Sequence, residues 1–372
     1  MTNKDIYKDK KLCSGCEACV NVCVHNAITM KPDWRGFLYP SIDNLKCTNC
    51  GLCSKVCPTN LPQRNKFEFP KAAVYIDKNR DFLRQASSGG AFGVMARYVL
   101  SQGGIVYGCN MDENYEVKFI CVDSLGSLYK LHGSKYVQSK VGMIYRDIRK
   151  LLKAGRMVLL CGCPCHIGAL KTFLGKDYDN LITMDLICHG VPSQSYFKAY
   201  VYDLLYRKSH INTFRFRYKK DVHDENQIDN NVYIGFHNND FYMTPFLWGK
   251  GYRSACYHCS YAGTERVGDF TIGDFWNNKN AKFPIDVSNG ASLILFNNLK
   301  AKSLEVVFKE NSQYVNCPTL DLAIGKDNHG QLEHPSKNDF RTDLAYLLYR
   351  IFGVSGPKVL FVLQMKIMGI AK

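Results

Sequence analysis

CSGCEACVNVC, residues 13–23, and CTNCGLCSKVCP, residues 47–58, decide how the first part of the chain is read. Each run holds four cysteines at one spacing, Cys13, Cys16, Cys19 and Cys23 in the first and Cys47, Cys50, Cys53 and Cys57 in the second. Thiolate is the form of cysteine that binds metal, and three cysteines two residues apart wrap a short loop around one corner of an iron–sulfur cube. Zinc also uses Cys-x-x-Cys pairs, but a single tetrahedral ion has no need of two matched runs of four. Disulfides recede for a separate reason. The opening decapeptide MTNKDIYKDK is polar and lacks the apolar stretch of a secretion signal, so a cytoplasmic, reducing location is expected.

The spacing is that of bacterial two-cluster ferredoxins, in which the fourth cysteine of each run crosses to the other cluster. On that pattern Cys13, Cys16, Cys19 and Cys57 hold one [4Fe-4S] centre, and Cys47, Cys50, Cys53 and Cys23 hold the second. Pro58 fixes the exit from the second loop, whereas Val24 follows Cys23. Residues 1–60 are thus read as a small ferredoxin-like domain. PTNLPQRNKFEFP, from Pro58 to Pro70, is proline-rich and polar, and it places a linker at 61–70.

With 372 residues and 46% hydrophobic side chains, the chain has room for a sizeable core beyond that domain. After Lys71 the pattern alternates. Strands are expected at AAVYI (72–76), 104–109, 117–122, 157–161 and 181–187, and helices at 90–101, 141–153, 167–173 and 195–206. Such alternation predicts an α/β core. TFRFRY and NVYIGF, beginning at Thr213 and Asn231, follow with the period-2 pattern of half-buried strands. The stretch from Leu344 to Ile370 is apolar, but Arg350, Ser355-Gly356-Pro357, Lys358 and Lys366 interrupt it. It is too broken to span a bilayer and reads as amphipathic helices that pack on the core, with peripheral membrane contact as the alternative.

The formal charge of +15 counts every thiol as neutral. Three oxidised [4Fe-4S] centres with thiolate ligands would lower it to about +9. The remaining positive charge suits an acidic redox partner, an anionic cofactor or an anionic membrane. No nucleic-acid-binding motif accompanies it, so nucleic acid is not expected. The basic stretch from Arg207 to Lys220 reads as a solvated edge strand.

Five blocks from Lys71 onward carry a resemblance: QASSGGA (85–91), GSKYVQS (133–139), GCPCHI (162–167), DLICHGVPS (185–193), and CYHCSY (256–261) followed by DFTIGDFW (269–276). From about Lys71 to Asn328 the chain resembles the family of the coenzyme F420 hydrogenase and dehydrogenase beta subunit, which also includes flavin-dependent chlorophyll-pathway reductases. The resemblance implies a flavin-binding α/β (α+β) core whose two parts are 71–155 and 156–330, followed by an amphipathic tail at 331–372. It further implies FAD, a third [4Fe-4S] centre, and a small-molecule substrate such as coenzyme F420. The partner it implies is a ferredoxin or another oxidoreductase subunit. The division of labour is physically coherent, because clusters carry single electrons, hydride chemistry needs pairs, and a flavin handles both.

Residues are carried over block by block. Cys165, Cys188, Cys256 and Cys259 are the expected ligands of the third centre, with Cys161 and Cys163 as alternatives to Cys165, because the family more often has threonine at position 163 and glutamine at 166. Ser87, Ser88, Gly89 and Gly90 are expected at the FAD pyrophosphate, where a glycine turn feeds a helix N-terminus. A serine-capped ordinary helix is the alternative. Lys135 and Tyr136 would add a cation and a hydroxyl to the flavin site, or else form a surface loop. His189 and Asp274 are titratable neighbours with no assigned catalytic role. Cys109, Cys121 and Cys317 read as core or surface thiols.

Overall fold

In the computed structural model, left-handed backbone recurs at matched places in the two cysteine runs. Gly15 and Glu17 flank Cys16, and Asn49 and Gly51 flank Cys50, all with φ between 56° and 71°. Two reversals on either side of the middle cysteine fold each loop back on itself. Each loop then enters a short helix that carries the third cysteine of its run, α1 (Ala18–Val22) and α2 (Leu52–Lys55). Between these lies an antiparallel hairpin, β1 (Ile28–Pro32) and β2 (Leu38–Ile42). The Asp33 carboxylate accepts from the amides of Arg35 and Phe37 and so holds its turn. The structure describes residues 6–61, 71–207, 213–217, 232–234, 240, 242–276, 284–287, 290–317, 319–333, 335, 340–353 and 355.

The core is built on one mixed sheet. In chain order the elements are β3 (Lys71–Asp77), α3 (Arg80–Gln85), α4 (Ala91–Ser101), β4 (Ile105–Met111), β5 (Val117–Val122), α5 (Ile144–Lys153), β6 (Val158–Gly162), α6 (Pro164–Leu174), β7 (Leu181–Leu186) and α7 (Gln194–Arg207). A short parallel pair follows, β8 (Thr213–Arg215) and β9 (Val232–Ile234). Next come α8 (Met243–Leu247), β10 (Phe270–Asp274), β11 (Ser292–Phe296), α9 (Leu299–Ser303), α10 (Glu305–Asn311), β12 (Ser312–Cys317), α11 (Leu320–Leu332) and α12 (Phe340–Phe352). Among the described residues eight strands form the sheet, in the order β12-β3-β11-β10-β7-β6-β4-β5. β4, β6, β7 and β10 run parallel, and β5, β11 and β12 pair antiparallel with their neighbours. Strands from 71–155 and from 156–330 interleave within it.

Both faces of the central strands are covered, which is why these strands read as unbroken apolar runs. Val106, Leu159, Ile182 and Phe270 face α4 and α10. On the opposite face Tyr107, Val158, Leu160 and Leu181 pack under α5 and α6, and Val74, Leu293 and Leu295 pack under α11.

Some boundaries depart from the expected ones for local reasons. α6 starts at Pro164 and not at Ile167, because proline suits the first helical position, and Cys165 therefore falls in the first turn. α5 starts at Ile144 and not near Val141, because the amides of Val141 and Gly142 donate to the Glu17 carboxylate of the N-terminal unit. The basic stretch at 207–220 lies largely outside the described residues. Where it is described it is not a solvated edge, since Phe214 and Phe216 are buried against Phe197. Part of the C-terminal tail is α12, whose Tyr346 is buried against Phe37 and Tyr196; residues 356–372 lie outside the described set. No helix among the described residues is long and apolar enough to cross a membrane.

Candidate functional site

Cys13, Cys16, Cys19 and Cys57 line one pocket with Ile6, Tyr7, Met30 and Pro40, and all four are buried. The last cysteine of the second run therefore stands with the first three of the first run. Burial pushes the Cys16 thiol up to about 12, with further upward pressure from Cys13 and Cys57. Burial likewise holds Cys19 well above the usual thiol range, reinforced by Cys16, Cys13, Cys57 and Cys53. Crowded, desolvated sulfurs cannot ionise together unless a cation compensates them, so this donor set fits an iron cube.

The second set is more open. Cys50 is exposed, while Cys47, Cys53 and Cys23 are half-buried. Burial raises the Cys53 thiol, and Cys50 and Cys23 raise it further, which brings the last cysteine of the first run to the second set. Among the described residues no three His, Cys, Asp or Glu side chains converge as a single metal ion requires. A cubane instead spaces its thiolates around a body of iron and sulfide.

A third set gathers in the core. Cys165 lies in the first turn of α6, Cys188 follows β7, and Cys256 and Cys259 sit in and just after a 3-10 turn at Ser254–His258. Burial drives the Cys165 thiol far up, and its charged neighbours are Cys188, Cys259, Cys16 and Cys256. The four residues named from the sequence are thus together, with Cys16 of the N-terminal unit beside them. Cys163 donates its thiol hydrogen to Cys188, which lowers the Cys188 pKa. Cys161 faces Cys109, Asp185 and Lys135 instead.

Gly90 abuts Asp77 at the carboxyl end of β3, and Lys135 lies near Cys109 and Cys161 toward the carboxyl ends of β4 and β6, the edge where open α/β sheets take ligands. The Ser134 amide donates to the Ser87 hydroxyl at 2.7 Å, so two of the sequence blocks meet. Ser88 donates to the Ala291 carbonyl at 2.7 Å. Gly89 lies flat on β3 and β11, and a Cβ there would overlap the Tyr75 carbonyl and the Ser292 amide. These two residues serve the sheet. Gly90 caps α4 with φ 90°. Lys135 donates to the carbonyls of His132 and Leu131, and burial pushes its ammonium down to about 8. Tyr136 packs on Phe216 and Phe246, with the Arg217–Asp274 ion pair nearby. Both ring nitrogens of His132 are buried without a partner among the described residues. A bound polar group beside this loop would satisfy them, so the lining fits a polar cofactor.

Residues 12–61 match the family of the 4Fe-4S dicluster domain, and residues 155–316 match the family described as the C terminus of the coenzyme F420 hydrogenase/dehydrogenase beta subunit. Residues 155–316 belong to that C-terminal family, and residues 12–61 ahead of them to the dicluster ferredoxin family. Similar proteins include a ferredoxin of Alicyclobacillus acidocaldarius subsp. acidocaldarius, 34% identical over 66 residues, which are 18% of this chain and 78% of that protein. An uncharacterised ferredoxin of Methanocaldococcus jannaschii is 36% identical over 56 residues, 15% of this chain and 71% of that one. A chain of the F420-reducing [NiFe] hydrogenase complex from Methanosarcina barkeri superposes with a TM-score of 0.44 at 16% identity, covering 73% of this chain and 91% of that chain. The dicluster domain carries two [4Fe-4S] clusters.

Sequence reasoning missed the polar contacts that join the dicluster domain to the α/β core. Arg253 is 0% exposed. It donates to the carbonyls of Cys13 and Leu38, to Gln138 Oε1 at 3.1 Å, and to Cys13 Sγ at 3.6 Å, while its guanidinium lies 4.1 Å from the Tyr39 ring centroid. Glu17 accepts from Val141 and Gly142, Asn21 donates to the Gly142 carbonyl, and Arg146 donates to the carbonyls of Asn21 and Cys23. Behind Cys188, Arg266 and Asp185 form a buried ion pair at 2.8 Å, which Thr271 and the Gly268 amide complete. Position in sequence offers one signal, since Arg253 stands three residues before Cys256.

Proposed function

We propose that the chain is an FAD- and iron–sulfur-dependent oxidoreductase that moves electrons between a redox partner protein and a small substrate in a reducing cytoplasm. The family's description makes coenzyme F420 the first substrate to test. One observation carries the reading: the three cysteine sets stand in succession, exposed at Cys50, buried at Cys16, and continued in the core by Cys165. On this reading Cys165, Cys188, Cys256 and Cys259 hold a third [4Fe-4S] centre, and Cys163 is the thiol that donates to it through Cys188.

Cys50 keeps the outer cluster open to a protein partner, and the buried ligands beyond it exclude water from the path. Ser87, Ser134, Gly90, Lys135 and Tyr136 would hold FAD, with Ser88 and Gly89 fixing the loop to the sheet. A flavin bound there supplies the exchange between single electrons and hydride pairs. Lys135 would set positive charge beside it. The family's description as a beta subunit also favours a second reading, an electron-input protein whose chemistry is completed by another chain. Turnover by the isolated chain separates the two.

A stoichiometric reductive titration of the anaerobic full-length protein tests the proposal. Uptake of about five electrons per chain is expected, one for each of three clusters and two for a flavin. Uptake of about two, with no flavin absorbance, leaves the dicluster domain alone.

A further inference from the structure

Tyr261 is 5% exposed, and its hydroxyl has no hydrogen-bond partner among the described residues. A buried tyrosine hydroxyl ordinarily finds one, because leaving it unmet costs stability. The ring belongs to the cluster of packed side chains in which the two parts of the molecule meet. Cys16, Ala18 and Val56 enter that cluster from the dicluster domain, and Tyr145, Ile167, Cys165 and Cys259 from the core. That cluster thus packs the Tyr261 ring with Cys16 from one set and with Cys165 and Cys259 from the other. The phenol therefore stands between two cysteine sets.

Two details fix its position. Gly168 on α6 leaves the room for it, since a Cβ there would fall inside contact distance of the Tyr261 oxygen. The neighbouring Tyr145 spends its hydroxyl on the His166 carbonyl at 3.2 Å. Of these two tyrosines, Tyr261 alone has a donor to offer. The sulfurs of Cys16, Cys165 and Cys259 stand in the same packed cluster as acceptors.

We propose that the Tyr261 hydroxyl donates a hydrogen bond to a cluster sulfur at the junction of the Cys13, Cys16, Cys19 and Cys57 centre with the core centre, and so sets the potential of the centre it touches. Tyr261 is a positioning residue: it is not a ligand, and it moves no proton in the transfer. The half of the inference that concerns the core centre rests on the function proposed above; the half that concerns the Cys16 centre does not. A hydrogen bond to sulfur favours the reduced, more negative state.

The test is a redox titration of the anaerobic full-length protein followed by EPR, with iron and flavin measured on the same samples. Tyr261→Phe is expected to keep the wild-type iron and flavin content while one cluster becomes harder to reduce. Gly168→Ala, which retains the phenol but displaces it, is expected to shift the same cluster in the same direction. Either variant alone decides the matter if the other fails to fold. Unaltered potentials at every cluster, with iron content intact, would overturn the inference. A wild-type content of about eight irons would remove the core centre, and the titration would still read Tyr261 against the Cys16 cluster.

Discussion

Cys188→Ser is expected to lower the iron content of the anaerobic protein from about twelve to about eight per chain while the two N-terminal clusters keep their EPR signals. Cys188 is the best placed of the core thiols for the substitution. Its thiol carries a hydrogen bond from Cys163 and one from the Gly190 amide, with Arg266 adding positive charge, and all three favour its ionised form. Serine keeps the size and forfeits the soft sulfur that holds iron. On the proposed function, the loss should also uncouple the dicluster domain from a bound flavin, so that a partner protein reduces the N-terminal clusters and leaves that flavin oxidised. Cys161→Ser serves as the control. Its thiol faces Cys109, Asp185 and Lys135, so iron should remain at the wild-type level. Unchanged iron in Cys188→Ser would reject the ligand set.

Removing Arg253 is the second large effect. Arg253→Ala leaves the carbonyls of Cys13 and Leu38 and the Gln138 side chain without their donor, in a site closed to water. Each unmet acceptor costs roughly 1–3 kcal/mol, and two of the three, the carbonyls of Cys13 and Leu38, belong to the dicluster domain, which should therefore lose at least about 2 kcal/mol of its attachment to the core. Faster proteolysis within residues 6–61 and faster loss of iron to a chelator are the readouts. Arg253→Lys keeps a charge but lacks the planar fork that reaches these acceptors together. It should recover only part of the protection. Wild-type protease resistance in Arg253→Ala would contradict the role given to this side chain.

The N-terminal part of this architecture was legible because ligand geometry writes itself into spacing. Cys13 to Cys23 and Cys47 to Cys57 repeat one loop, and even the left-handed positions, Gly15 with Glu17 and Asn49 with Gly51, fall at the same offsets. The central strands were legible from their apolar runs, since a strand covered on both faces has no polar alternation to blur it. The core cysteines were nameable from their blocks, but their meeting was not visible locally, because Cys165, Cys188 and Cys256 arrive from three separate connections. Least visible were the docking residues. Glu17, Arg146 and Arg253 look like surface charges in a sequence, and only the partner backbone, more than a hundred residues away in each case, makes them interior groups. Ser88 and Gly89 show the converse. They sit in a block that reads as a phosphate turn, yet the Ala291 carbonyl just ahead of β11 takes up the Ser88 hydroxyl, and β3 and β11 fill the space beside Gly89.

Iron, acid-labile sulfide and flavin measured together on one anaerobic preparation of the full chain test the central claim most directly. Three cubes and a flavin require about twelve irons, about twelve sulfides and about one FAD. Eight irons without flavin, or zinc without sulfide, would contradict it.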